Sequence, residues 1–388
     1  MTKKFFIISG EVSGDLLGSK LIKEIRLRFK DSKEELEFTG VGGKLMKNEG
    51  FSSIFDMEEL CVMGFAEVLP HIPKLLKRIS QTAAEIRKTK PDYVITIDSP
   101  DFSFRVMKKL KNYHECKKTH LIAPSVWTYR AGRAKKIAKL YDLLLAILPF
   151  EPPYFTKHGL KTVFIGSPIV ENLPDFTKKA QINNGFRQKY NLKSEDILLY
   201  VTPGSRNFEV KNIFPHFIEA INLLKNDVEN LKIVISTVDK TRKLVEEMAQ
   251  EISAEYILVK SEEKDQSLMS CNFAMAKSGT NTVEISLHKI PLLVCYKFNA
   301  LTYFILDKIV TNRFANLINI IMNKYVIKEF IQKDCTGEKI AKSMNELILN
   351  PKIAQKQIDD CEEALKIMAM GSKKTSTQKA VDAILDIV

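Results

Sequence analysis

Lys4-Phe5-Phe6-Ile7-Ile8-Ser9-Gly10-Glu11-Val12-Ser13-Gly14-Asp15 decides the fold. Residues 4–8 form an apolar, aromatic and β-branched run of strand length. Residues 10–14 hold two glycines and read as a loop, and 15–29 return to helical spacing. A strand that leaves through a glycine turn into a helix opens a βα unit. The alternation continues, with strands expected at 93–97, 119–123, 143–148 and 163–165, and helices between them that include 131–140 and 153–158.

The rhythm then restarts. A strand at 196–201, a turn at 203–206 and a helix at 209–225 precede strands at 232–236, 256–259, 273–276 and 291–296. The polar, Pro- and Asn-containing stretch 166–185 separates the two runs, and from Thr336 the chain reads as almost wholly helical. The expected fold class is α/β, with two Rossmann-like domains: 1–170, then 171–370, then a terminal helical segment 371–388. Ligands of such sheets bind at the carboxyl ends of the strands, and two such domains would line one cleft with their loops.

Composition narrows the partners. The chain has 388 residues, 45% hydrophobic and 27% charged, which suits packed cores and excludes general disorder. Its 59 Lys and Arg against 47 Asp and Glu leave a formal charge of +12, and residues 71–141 carry all of that excess. Within 105–141, eleven cations face only Glu115. A basic first domain on a neutral body implies an anionic partner or, equally, a solvated lysine-rich surface. Aromatics are not interleaved with the basic run, and Trp127 is the only tryptophan, so nucleic acid is not expected. Six scattered cysteines without a C-x-x-C pair fit reduced thiols, and no metal-ligand cluster is spelled out. The N-terminus has too short an apolar run for export, and 143–150 and 290–306 are too short or too interrupted to span a bilayer.

Four loops could carry chemistry. Gly10–Asp15, with Glu11, Ser13 and Gly14, is a ligand loop or a tight turn, in which Ser13 or Asp15 could cap the helix. Asp98 falls at the carboxyl end of strand 93–97, where a carboxylate serves as general base or metal ligand, while Asp101 after Pro100 reads as a helix cap. Gly204-Ser205-Arg206 suits phosphate, through backbone N–H groups and a guanidinium, or is a turn with a solvated arginine. Ser278-Gly279-Thr280 opens another helix and offers N–H donors to a diphosphate, with Glu284 one turn on to accept from a ribose diol. Separately, Val62, Met63, Phe65, Val68, Leu69, Ile72, Leu75 and Leu76, followed by Lys77 and Arg78, form an apolar patch flanked by cations. It suits an interfacial segment on anionic lipid or buried core, and Pro70 and Pro73 argue against one continuous helix.

Gly10–Asp15, Val62-Met63-Gly64, Ile97-Asp98-Ser99-Pro100-Asp101-Phe102, Pro124-Ser125-Val126-Trp127, Leu148-Pro149-Phe150-Glu151, Pro203-Gly204-Ser205-Arg206 and Ser278-Gly279-Thr280 occur in the order seen in lipid-A-disaccharide synthases. The resemblance runs from about residue 5 to 335. It implies a GT-B glycosyltransferase whose C-terminal helix returns to the first domain, with no cofactor and no metal. The implied substrates are UDP-2,3-diacylglucosamine and 2,3-diacylglucosamine 1-phosphate, joined β-1′,6 with inversion to give UDP. The implied place is the inner, cytoplasmic face of a Gram-negative inner membrane, on its anionic surface. Asp98 matches the family's proposed base, and Arg206, Ser278, Gly279, Thr280 and Glu284 match its nucleotide contacts. Asn316, Glu329 and Gln332 fit a further segment near the nucleotide, and Glu11, Ser13, Gly14 and Asp15 would shape the acceptor side.

The sequence departs from the family pattern in four places. Ser167 stands for a histidine, Tyr129 for a tryptophan, Ala315 for the proline before Asn316, and Lys328 for the proline before Glu329. The rival readings are a related GT-B enzyme acting on a soluble UDP-sugar, of the UDP-N-acetylglucosamine epimerase type, and a non-catalytic binder of anionic lipid.

Overall fold

The computed structural model describes residues 2–60, 72–127, 132–298 and 313–387. The chain divides into two compact units, Met1–Pro168 with Gly371–Val388, and Ile169–Met370.

In the first unit, strands β1 (Thr2–Ser9), β2 (Glu35–Val41), β3 (Ser52–Ser53), β4 (Tyr93–Ile97), β5 (Lys117–Leu121), β6 (Leu143–Ala146) and β7 (Lys161–Phe164) form a parallel sheet in the order β3-β2-β1-β4-β5-β6-β7. Phe5, Phe6, Ile7 and Ile8 are all fully buried because a central parallel strand is covered on both faces. Alternation along β1 sends Phe6 and Ile8 into one core with helices Ile72–Thr89 and Pro100–Lys109. It sends Phe5 and Ile7 into the other, with helix Val12–Arg28 and the terminal helix Ser376–Leu385. The C-terminal helix is fastened there by Val381 and Ile384 in the core and by Arg28 Nη2 at 2.7 Å from Asp382 Oδ1.

The second unit repeats the plan. Strands β8 (Ile197–Thr202), β9 (Leu231–Ser236), β10 (Tyr256–Val259), β11 (Phe273–Lys277), β12 (Leu292–Tyr296) and β13 (Glu329–Ile331) run parallel in the order β10-β9-β8-β11-β12-β13. Helices Asn207–Asp227 and Gly337–Leu349 cover one face of this sheet through Ile213, Phe214, Phe217, Ile340 and Met344.

The expectations need three adjustments. The first helix starts at Val12, not at residue 15, with Glu11 as its capping position. Strands β2, β3 and β13 were not foreseen: β2 alternates charged and apolar residues, β3 is two serines, and β13 is a three-residue edge. Helix Ile72–Thr89 carries Pro73 in its first turn, where proline removes only an N–H that the helix does not use; residues 61–71, on which the expected break also bears, lie outside the described residues. The predicted cap Asp101 lies inside helix Pro100–Lys109, whose capping position is Ser99.

Candidate functional site

Both sheets reverse strand order at one point, which is where ligands of open α/β sheets bind. In the first unit the reversal falls between β1 and β4, with Ser9 paired to Ile97 in register. The loop Gly10–Glu11 and the residues Asp98–Ser99 therefore leave the sheet side by side. A Cβ on Gly10 would collide with Ser99 Oγ, so only glycine allows this approach.

Asp98 and Ser99 both take left-handed backbone angles, φ 48° and 44°. For non-glycine residues this is a strained conformation, held here by neighbours. Asp98 N donates to Leu121 O at 3.0 Å, and Ser103 Oγ donates to Asp98 O at 3.0 Å. The carboxyl is displaced upward from the ordinary aspartate range by burial, which a hydrogen bond from the Ser99 backbone only partly offsets. A half-buried carboxylate made more basic at a switch point is equipped to accept a proton.

Asp15 is not available in the same way. It is buried, and its oxygens accept from Gly43 N (2.8 Å), Leu45 N (2.9 Å) and Met46 N (3.1 Å), so it caps helix Lys44–Asn48. Its carboxylate is occupied by backbone donors, so it acts on its surroundings through the Gly43–Met46 backbone that it holds. Ser13 is exposed on the first turn of its helix, and Gly14 is buried on the same turn.

The second unit reverses between β8 and β11, with Thr202 paired to Ala276. Gly204-Ser205-Arg206 follows β8, and Ser278-Gly279-Thr280 follows β11, so both predicted phosphate turns flank one switch point. Asn281 Nδ2 donates to Thr202 Oγ1 at 2.7 Å and ties the two loops together. Gly204 has φ 141°, and a Cβ there would stand 2.6 Å from Glu209 Cβ. Glu209 is the residue that organises this corner, and the sequence reading missed it. Its Oε2 accepts from Ser205 N at 3.0 Å, and its Oε1 from Arg206 Nη1 at 3.2 Å and Lys277 Nζ at 3.1 Å. The available signal was an acid three residues after Arg206, in a helix first turn.

Glu284 touches that corner through its backbone, its N–H donating to Thr280 O at 3.4 Å, while its carboxylate turns to another partner. Its Oε2 lies 2.6 Å from Lys264 Nζ, and it lines a cavity of about 650 Å³ with Asn172, Asp175, Asp265, Gln266 and His288. Asn316 and Glu329 are brought together with each other. Glu329 accepts from Asn316 Nδ2 (2.6 Å), Asn316 N (2.8 Å), Ala315 N (3.0 Å) and Asn319 Nδ2 (3.0 Å). Asn316 Oδ1 meanwhile caps helix Leu317–Met322 through Asn319 N. Asn316 and Glu329 thus form one hydrogen-bonded knot. Ala315 supplies an N–H that a proline in its place would lack. Ser278 Oγ donates to Ala315 O at 2.7 Å, so the knot steadies the Ser278-Gly279-Thr280 turn. Gln332 Oε1 accepts from Phe298 N at 2.9 Å and fixes the end of β12.

One more carboxylate was quoted by motif but given no role. Glu151 is buried in the loop after β6, where Leu148 N donates to Oε2 at 3.0 Å and Trp127 Nε1 to Oε1 at 3.3 Å. Burial pushes its carboxyl up to about 7 against those hydrogen bonds.

Of the expected lipid patch, Val62, Met63, Phe65, Val68 and Leu69 lie outside the described residues. Leu75 packs on the core, whereas Ile72 and Leu76 are 38% and 47% exposed. Among the described residues no helix is long and apolar enough to cross a membrane, and no group of three His, Cys, Asp or Glu is placed to hold a metal.

The fold is shared with UDP-GlcNAc 2-epimerase from Neisseria meningitidis solved with UDP-GlcNAc, at a TM-score of 0.62 and 13% identity, covering 99% of this chain and 100% of that one. Two such parallel α/β units define the GT-B class. Residues 5–383 match the family model described as lipid-A-disaccharide synthetase. The lipid-A-disaccharide synthase of Rhodospirillum centenum is 35% identical over 385 residues, 99% of this chain and 94% of the relative. That of Rickettsia akari is 37% identical over 387 residues, 99% and 96% of the two chains. The chain belongs to the lipid-A-disaccharide synthase family, glycosyltransferases of lipid A biosynthesis.

Proposed function

We propose that the protein transfers 2,3-diacylglucosamine from its UDP conjugate to the 6-hydroxyl of 2,3-diacylglucosamine 1-phosphate, with inversion at the anomeric carbon. Asp98 carries the reading: a strained, half-buried carboxylate, held above its ordinary pKa, at the β1/β4 switch point. It takes the proton from the acceptor hydroxyl as the oxygen bonds to the anomeric carbon. The bond from that carbon to the UDP oxygen breaks on the opposite face, and the electron pair leaves with UDP. Arg206 and the backbone N–H groups of the Ser278-Gly279-Thr280 turn stabilise the growing charge on the diphosphate. Glu284 accepts from the ribose once it exchanges Lys264 for the sugar hydroxyls. Gly10 and Glu11 flank the acceptor, and the basic first unit, with Ile72 and Leu76 exposed, favours residence on an anionic membrane surface.

The test is UDP release from UDP-2,3-diacylglucosamine in detergent and EDTA, with and without the acceptor phosphate. Acceptor-dependent release is the expected result. Release from a soluble UDP-sugar without lipid would favour the epimerase-type alternative instead.

A further inference from the structure

The Ser278-Gly279-Thr280 turn rests on a side chain that no motif contains. Lys277 ends β11, and the alternation that puts Met275 in the core beneath helix Asn207–Asp227 sends Lys277 to the same face. There it shares Glu209 Oε1 with Arg206, at 3.1 and 3.2 Å respectively. The Glu209 side chain is 1% exposed, the Lys277 side chain 16% and the Arg206 side chain 56%.

A buried carboxylate requires a counter-charge, and one cation supplies it. Glu209 has two, besides the Ser205 N–H on its other oxygen. The group therefore retains one positive charge beyond what Glu209 neutralises. Its location is informative, because a Cβ on Gly279 would stand 3.3 Å from Lys277 Nζ. The ammonium thus lies against the backbone of the very turn whose N–H groups suit an anion. The Tyr296 ring, 5.5 Å from Nζ, flanks it with a surface that tolerates a cation.

Resting on the UDP-sugar reading of this switch point, we infer that Lys277 is a second diphosphate-binding cation. Glu209 bridges it to Arg206, so that one cation from the β8 loop and one from the end of β11 act on the same nucleoside diphosphate. The carboxylate fixes both cations before the ligand arrives, which lowers the ordering cost of binding. A lysine present only to neutralise Glu209 would contribute to stability and leave ligand choice alone.

Titration calorimetry with UDP, UMP and uridine separates these roles. In Lys277→Met, UDP binding weakens about tenfold or more, UMP less, and uridine not at all. Lys277→Arg restores most of the UDP affinity. UDP binding within twofold of wild type in a folded Lys277→Met, or an equal loss for uridine, overturns the inference. Should that variant not fold, acetylation of the wild-type lysines read by mass spectrometry decides: UDP slows labelling of Lys277 and uridine does not, and absence of protection overturns the inference. Wild-type protein that binds no UDP overturns the underlying nucleotide reading, a failure distinct from a UDP-binding protein indifferent to Lys277.

Discussion

Strands β1 and β4 diverge around a carboxylate, whereas β8 and β11 diverge around two cations and the acid that pairs them. The backbone device is the same in both units: parallel strands part, and two loops emerge beside each other. What differs is how each unit treats charge. In the first, burial makes Asp98 more basic against a single opposing hydrogen bond from the Ser99 backbone. In the second, Glu209 is more deeply buried and held by two cations and an N–H, and serves as scaffold for positive groups. Topology thus supplies a place for chemistry, and the partners of a single carboxylate decide which chemistry it is.

The comparison breaks most visibly at Asp98. Asp98→Asn should lower turnover by about a hundredfold to ten-thousandfold, the usual worth of a positioned base, measured as UDP release in the presence of acceptor. Because the base must be ionised, the acid limb of kcat/KM in the wild type should lie above the ordinary aspartate range, in keeping with the upward displacement. Arg206→Ala should weaken UDP binding by about ten- to a hundredfold in calorimetry, as expected for charge-assisted hydrogen bonds to phosphate. Glu209→Gln leaves two cations without their buried partner and should cost about 3 kcal/mol, seen as a lower urea midpoint.

A smaller effect tests Glu151. Since Trp127 is the only tryptophan and donates to this carboxylate, its fluorescence should titrate near pH 7, and Glu151→Gln should abolish the transition. The smallest effect concerns stability at Asp98. A carboxyl raised in the folded state stabilises the fold below its unfolded pKa and loses that contribution as pH rises through the folded value. Asp98→Asn should therefore melt roughly one to three degrees above wild type at neutral pH, with the difference vanishing in acid.

Much of the architecture is legible in the sequence because buried parallel strands are apolar on both faces. Phe5–Ile8, Tyr93–Ile97 and Leu292–Tyr296 have little other use for such runs. Strands Glu35–Val41 and Glu329–Ile331 escaped because the first alternates with charge and the second is short and carries a carboxylate. The loops that flank the switch points are legible too, since glycine and serine after a strand announce a tight approach. Occupancy is not legible. That Asp15 is held by three backbone donors, or that Asn316 and Glu329 bind each other, depends on residues distant in sequence. Lys277 and Glu209 illustrate the same limit, because their pairing joins a strand end to a helix that starts 70 residues earlier.

In the proposed mechanism Asp98 serves the reaction and not the retention of the nucleotide. UDP affinity of Asp98→Asn, measured by calorimetry beside its turnover, tests this most directly. The expected dissociation constant lies within about twofold of wild type while turnover collapses. A loss of UDP affinity that matches the loss of turnover would contradict it.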